Sequence, residues 1–178
     1  LLANIPKEKL VFNSDLIDIK NQDKLSLYFR EKQLEEFDYL AAADGIYSKT
    51  KQILFNKEGL PKYFNSVALR GNIKNFEIFD ISLYLGPNFH FVVYPINQNN
   101  EFNFISIIRK KLIEDEISNI NLFNDDKFIN NLLNKISLKS NVNLSEIVKD
   151  IRCFPIFVSK KIKIPKSKNI YLTGDAFY

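Results

Sequence analysis

The sequence predicts a mixed α/β (α+β) fold, in which strand–turn–helix segments accompany an antiparallel sheet. Three observations carry this expectation. A small-residue apolar run at 39–43 is followed by Asp44-Gly45 and by helical spacing that begins at Ser48, a strand, turn and helix in succession. Between residues 67 and 108 lie β-branched and aromatic segments, punctuated by Gly86-Pro87-Asn88 and Asn97-Gln98-Asn99-Asn100. From Asp125 to Lys149 the apolar residues recur at helical spacing. With 178 residues, 46% of them hydrophobic and 13% aromatic, the chain buries enough apolar surface to fold and is no disordered tail.

In order along the chain, residues 1–9 read as the tail of a helix that ends around Pro6. Residues 10–12, 16–19 and 25–29 read as strands, the last two joined by a hairpin turn at Asn21-Gln22-Asp23-Lys24. The run 39–43 lacks polar alternation, which is the pattern of a strand buried on both faces. Residues 49–55 form a helix capped by Ser48. The segments 67–70, 79–85, 90–94 and 102–108 make an antiparallel meander. Two helices follow. Phe128, Ile129, Leu132, Leu133 and Ile136 mark one face of the first, and Leu144, Ile147 and Val148 mark the second. A strand at 151–158, a basic loop with Pro165 and a terminal strand at 169–173 complete the order. No internal repeat is visible, and the Asn, Lys and Ile bias reads as compositional drift.

Charge and cysteine content narrow the function classes. Lys and Arg number 25 against 21 Asp and Glu, and a net charge of +4 is too mild to make a nucleic-acid binder by itself. The single cysteine, Cys153, excludes a disulfide framework and a Cys-based zinc site and suits a reducing cytoplasm, where it reads as a small buried hydrophobe. The single histidine, His90, excludes a two-histidine metal site supplied by this chain, so no metal is expected. No apolar run approaches the roughly 20 residues of a membrane helix. There is no Met, no signal peptide is seen, and the terminal strand stops as a turn opens, so the chain reads as cut at both ends.

Two local patterns point to chemistry. The stretch Asp38-Tyr39-Leu40-Ala41-Ala42-Ala43-Asp44-Gly45-Ile46-Tyr47-Ser48-Lys49-Thr50-Lys51 is a strand, an Asp-Gly turn and a Ser-capped helix start. Such a junction offers backbone N–H groups to an anion, with a carboxylate beside them to accept from hydroxyls. Its plain reading is a loop with an ordinary helix cap. The stretch Asn169-Ile170-Tyr171-Leu172-Thr173-Gly174-Asp175-Ala176 is a second strand ending in Gly-Asp, the position at which open α/β sheets bind ligands and where a carboxylate holds a ribose hydroxyl.

In this order the two patterns resemble the FAD-dependent aromatic hydroxylases, the family of salicylate hydroxylase and the ubiquinone-pathway hydroxylases. That family carries a Gly-x-Gly-x-x-Gly dinucleotide fold, then strand–Asp-Gly-x-x-Ser-x-x-Arg, then a late Gly-Asp-Ala-Ala-His. Residues 44–51 match the second with Lys51 for Arg, and residues 174–178 match the start of the third with Phe177-Tyr178 in place of Ala-His. Val67-Ala68-Leu69-Arg70-Gly71 resembles the family's first substrate-domain strand, and the stretch 85–96 its Gly-turn strand ending in Tyr-Pro. The first fingerprint is missing. The resemblance therefore implies a fragment: a partial Rossmann-like FAD/NAD(P)-binding domain at 1–60, an antiparallel substrate domain with helices at 61–165, and a return to the FAD domain at 166–178. Such a fragment is expected not to hold FAD stably and to be inactive alone.

Residue by residue, the resemblance implies these roles. Asp44 stands near the FAD pyrophosphate and ribose, in a motif that also serves NAD(P)H docking. Gly45 makes the tight turn and Ser48 starts the helix. Asp175 holds a ribitol or ribose hydroxyl, and Gly174 allows close approach. Lys51 keeps the charge of the usual Arg without its bidentate fork. The implied activity is hydroxylation of a phenolic or other aromatic substrate with FAD, NAD(P)H and O₂; no side chain is a convincing acid or base, as suits a reaction run by its cofactor. Arg70, His90 and Tyr94 are the substrate-pocket candidates, each with the alternative of an ordinary sheet residue. The stretch 160–168 reads as a solvated basic connection, with a peripheral anionic-lipid contact as the alternative for an otherwise cytoplasmic protein. Rival functions are a flavin-dependent halogenase or prenyl reductase of the same superfamily, an inactive remnant, and a basic domain that binds nucleic acid through 160–168.

Overall fold

The computed structural model describes residues 2–30, 32–56, 60–74, 76, 78, 80–96, 101–136, 143–159 and 168–177. The strands of the first half are β1 (Leu16–Asn21), β2 (Leu25–Phe29), β3 (Lys32–Phe37) and β4 (Leu40–Ala42), followed by helix α1 (Lys49–Phe55). Then come β5 (Lys62–Lys74), β6 (Ser82–Leu85), β7 (Phe89–Pro95) and β8 (Glu101–Arg109). The helices α2 (Glu114–Ser118), α3 (Asp126–Leu133) and α4 (Leu144–Ile147) precede β9 (Val148–Val158) and β10 (Ile170–Leu172). The chain divides into two compact units, Leu1–Lys62 with Val158–Tyr178, and Tyr63–Phe157. Among the described residues no helix is long and apolar enough to cross a membrane.

In the first unit β1, β2 and β3 form an antiparallel sheet in that order, and β4 pairs with β10 in parallel. Leu25 and Leu27 of β2 and Ile170 of β10 are buried together, with Leu16, Ile19, Leu40 and Leu54 against them. Several local expectations change here. The expected helix tail is two short 3-10 turns, Leu2–Asn4 and Lys7–Lys9, separated around Pro6. Residues 10–12 join no ladder; Val11 and Phe12 are exposed and Asn13 turns the chain at φ +54. The strand β3 was hidden from sequence by its charges, and Glu36 of that strand pairs with Lys24 at 2.7 Å. The strand at 39–43 contracts to three residues and is not buried on both faces. Ala42 is buried, but Tyr39 and Ala41 are exposed, and β10 is the strand paired with β4 among the described residues.

The second unit is a five-stranded sheet in the order β6-β7-β8-β5-β9. The expected meander holds for β6, β7 and β8, but β5 pairs with β8 and not with β6. The alternation explains the placement: Val67, Leu69 and Ile73 of β5 need the same apolar face as Phe102, Phe104 and Ile108 of β8, and the register Val67↔Ile108 and Ile73↔Phe102 supplies it. That face packs on Ile129, Leu132 and Leu133 of α3 and on Leu144 of α4. Phe91 and Phe104, both fully buried, stack with ring centres 5.3 Å apart. Each such side chain contributes about 1.5–3 kcal/mol by leaving water. Gly71 is required by close approach: a Cβ there would stand 2.8 Å from the Lys149 carbonyl and 2.9 Å from the Phe104 ring. The second expected helix is one turn long. Val148, read from sequence as part of its apolar face, begins β9 instead. The short helix α2, rich in acidic residues, was not foreseen, and the turn 97–100 lies outside the described residues.

Candidate functional site

The parallel pairing of β4 with β10 decides the first site. Its register, Leu40↔Ile170, Ala41↔Tyr171 and Ala42↔Leu172, sets the carboxyl ends of both strands level. The bond from Thr173 N to the Ala42 carbonyl, 2.9 Å, extends the ladder by one step. Asp44-Gly45 and Gly174-Asp175, far apart in sequence, therefore leave adjacent strands side by side. Gly45 has φ +77 and Gly174 φ +58, the left-handed region in which glycine is favoured. No atom lies within 4 Å of a Cβ placed on either residue, so both glycines are set by backbone conformation and not by packing.

The polar side chains around the first turn are engaged with the start of α1. Asp44 Oδ2 accepts from Thr50 N at 2.9 Å, and Ser48 Oγ accepts from Lys51 N at 2.9 Å, so the first turn of α1 is capped twice. The N–H groups of Thr50 and Lys51, which the sequence offers to an anion, are thus already engaged. Partial burial pushes the Asp44 carboxyl up, but hydrogen bonds from Ser48 and Thr50 outweigh it and hold the group below its ordinary value. Ser48 is fully buried and Lys51 is 2% exposed, with Lys51 Nζ donating to Ser159 Oγ at 3.1 Å. Burial pushes the Lys51 ammonium down, against the pull of Asp44. Asp175, in the 3-10 turn Gly174–Ala176, is exposed. Tyr178 and residues 160–167 lie outside the described residues.

In the second unit the sheet has a second face, opposite the helices, and the three substrate candidates stand on it. The register sorts this face into rows across the strands. Arg109 and Ser66 form one row. Leu85, His90, Ile107 and Ala68 form the next, then Leu83, Val92, Ile105 and Arg70, then Tyr94, Asn103 and Asn72. His90, Arg70 and Tyr94 thus sit on successive rows, two residues or about 7 Å apart. The middle rows are largely apolar and open toward the β6 edge, where Leu83 and Leu85 are 57% and 75% exposed, while Ala68 on β5 is buried. Tyr94 donates its hydroxyl to Asn103 Oδ1 at 3.0 Å, and Asn103 Nδ2 donates to the Gly71 carbonyl and to Asn72 Oδ1, both at 3.1 Å. Sequence reading missed Asn103 and Arg109, although a polar Asn inside an apolar strand was a signal. Cys153 lies in the opposite, helix-covered core, where burial pushes its thiol up to about 12.

No family model and no curated protein matches the sequence. Solved structures do match. The chain is similar to 2,6-dihydroxypyridine-3-hydroxylase from Arthrobacter nicotinovorans, at TM-score 0.75 and 17% identity over 99% of this chain and 51% of that one. It is similar to salicylate hydroxylase in its substrate complex, at TM-score 0.71 and 14% identity over 92% of this chain and 45% of that one. A single-substitution variant of Klebsiella pneumoniae HpxO complexed with FAD gives TM-score 0.70 and 15% identity over 96% of this chain and 45% of that one. The chain spans about half the length of the solved structures it matches. It has the fold of that half of the FAD-dependent aromatic hydroxylases.

Proposed function

We propose that the chain is part of a flavin-dependent monooxygenase that hydroxylates an aromatic ring. The observation that carries the reading is the level placement of the Asp-Gly and Gly-Asp turns at the carboxyl ends of the parallel β4–β10 pair, where α/β sheets take their ligands. The residues there fit the hydroxyl-bearing part of FAD. Asp175 presents an exposed carboxylate to accept from hydroxyls, and Gly45 and Gly174 leave open backbone beside it. Asp44, Ser48 and Lys51 shape the turn from behind and position Gly45. FAD, when bound, supplies the redox chemistry with NAD(P)H and O₂. The unit 63–157 supplies the aromatic substrate's site, with the apolar middle rows against the ring and Arg70, His90 and Tyr94 as polar contacts. Because Tyr94 donates to Asn103, its oxygen is left to accept from a substrate hydroxyl.

The test is made on the full-length protein that contains this chain. Oxidised flavin is expected in the purified protein, with O₂ uptake that requires NAD(P)H and rises when a phenolic substrate is added. Asp175→Ala is expected to lower flavin retention about tenfold, the scale of one hydrogen-bonded carboxylate. A full-length protein without flavin affinity sinks the reading. The 178-residue chain by itself is expected to retain no stoichiometric FAD.

A further inference from the structure

The two edges of the five-stranded sheet, β9 and β6, are built differently. The β9 edge is guarded. Lys149, Asp150 and Arg152 put charge along it, Asp150 interrupts its extended path at φ +52, and Pro155 has no N–H to offer. Such features keep a free edge from pairing with another strand. The β6 edge has none of them. Residues 81–100, which run from just before β6 to just before β8, contain no Asp, Glu, Lys or Arg. In a chain that is 26% charged this is exceptional, because no other stretch exceeds eight residues without a charge.

The hairpin register fixes which backbone groups β6 leaves unused. Gly86 N donates to the Phe89 carbonyl at 2.9 Å, so these two residues form a hydrogen-bonded pair at the turn. Antiparallel ladders alternate, which makes Tyr84↔Phe91 and Ser82↔Val93 the next such pairs. The N–H and C=O groups of Leu83 and Leu85 therefore point away from β7, and the Ile81 carbonyl points with them. Beyond the ladder, no hydrogen bond among the described residues reaches Leu83 or Leu85. Their side chains stand on the open face, and Ile81, which continues their row, is 67% exposed. Its N–H is taken by Asp80 Oδ1 at 2.7 Å.

This edge is complementary to itself. When two copies are laid antiparallel with Leu83 opposite Leu83, each Leu85 falls opposite the other copy's Ile81, and each Asp80 opposite its Gly86. The two Leu83 residues then exchange both of their backbone bonds, and each Leu85 N–H reaches an Ile81 carbonyl. The apolar rows join into one strip on the same side of both sheets, and no like charges meet across the joint. An acidic or basic segment would find no counter-charge along 81–100, whereas a second copy brings an equally neutral edge. We infer that β6 is a self-association edge, pairing with β6 of a second copy about a two-fold axis at Leu83. One short strand pair falls below the roughly 1,200 Å² of a stable interface, so the dimer is expected to be weak, with a Kd of about 10 μM. The pairing uses no residue of the turn site, and it stands or falls apart from the flavin reading.

The experiment is sedimentation equilibrium of the 178-residue chain, without flavin, from about 1 to about 100 μM. A monomer–dimer equilibrium is expected, with the dilute chain monomeric. Leu83→Lys sets two ammonium groups against each other on the axis and is expected to weaken association at least about tenfold. Leu83→Ile is expected to keep it. Leu83 is exposed, so both variants retain the fold by circular dichroism. Cross-linking then reads the register, because Cys153, the chain's one cysteine, is buried. With oxidised glutathione as oxidant, Leu83→Cys is expected to give disulfide-linked dimers, since opposed Cα atoms of a hydrogen-bonded pair lie about 5.5 Å apart. Ile120→Cys, equally exposed but in the 3-10 turn Ile120–Asn124, reports chance collision and is expected to stay unlinked. Three results each overturn the inference: a chain that stays monomeric at about 100 μM, a dimer that Leu83→Lys leaves unchanged, or Leu83→Cys linking no faster than Ile120→Cys. The last two would mean that the copies meet through some other surface.

Discussion

In the turn site around Gly45 and Gly174 the geometry lies in the backbone, whereas on the open face of unit 63–157 it lies in alternate side chains. The turns are fixed by a three-residue parallel ladder, two left-handed glycines and caps from Asp44 and Ser48. The face is held by a core on its other side, where Phe91, Phe104 and Leu132 are exposed by 1% or less. The difference is in what each tolerates. A backbone site fails at a few fixed residue types, while a face keeps its fold through many substitutions and changes only what it binds.

The sharpest way to break that contrast is to cut the same sheet from its two sides. Phe104→Ala removes a fully buried ring stacked on Phe91, and is expected to cost about 3–5 kcal/mol in urea unfolding. Leu83→Ser, on the open face, is expected to fall within about 0.5 kcal/mol of the parent chain. A comparable loss from both would show that the open face is itself part of a core.

Glycine substitutions come next, because the two regions need glycine for different reasons. At Gly71 a Cβ meets the Lys149 carbonyl and the Phe104 ring, so Gly71→Ala is an overpacking change expected to cost about 1–3 kcal/mol. At Gly174 the space is open and only the positive φ resists, so Gly174→Ala is expected to cost about 1–2 kcal/mol. An Asn replacement separates the mechanisms, since Asn tolerates the left-handed region. Gly174→Asn should recover part of the loss, and Gly71→Asn should lose more than Gly71→Ala.

The same contrast explains what the sequence disclosed. The turn motifs were legible because Asp44-Gly45 with Ser48, and Gly174-Asp175, each need particular residue types at fixed spacing. What they could not disclose was that Asp44 and Ser48 are spent on capping α1, since an aspartate before a helix reads alike as cap or as ligand. Most strands of unit 63–157 were legible from β-branched and aromatic runs, yet the pairing of β5 with β8 was not, because it depends on matching apolar faces between segments far apart in sequence. The open face was the least legible part. Arg109 ends an apolar strand as any solvated cation does, and only the register places it beside Ile107 and His90. The strand β3 escaped because Lys32, Gln33, Glu35 and Glu36 give it the composition of an exposed loop.

The smallest expected effect bears on whether the turn site is held partly by charge. Asp44 accepts from Thr50 N–H and from the hydroxyls of Ser48 and Thr50, and these bonds keep its carboxyl below the ordinary 3.8 in the folded chain. A lowered folded value means that the stabilisation is fully present above the unfolded value, and fades as the pH falls through the folded one. Asp44→Asn keeps the shape and one acceptor oxygen but loses the charge. At neutral pH it is expected to cost about 0.5–1 kcal/mol, a cap-sized effect reduced by solvent screening at this exposed group. Below the carboxylate range the two chains should converge in stability, because Asp44 is then neutral in both states. Urea titrations of parent and variant at neutral and acidic pH read the difference directly. A gap that persists unchanged in acid would mean that Asp44 acts through shape alone, and the turn would then be as purely a backbone device as its two glycines suggest.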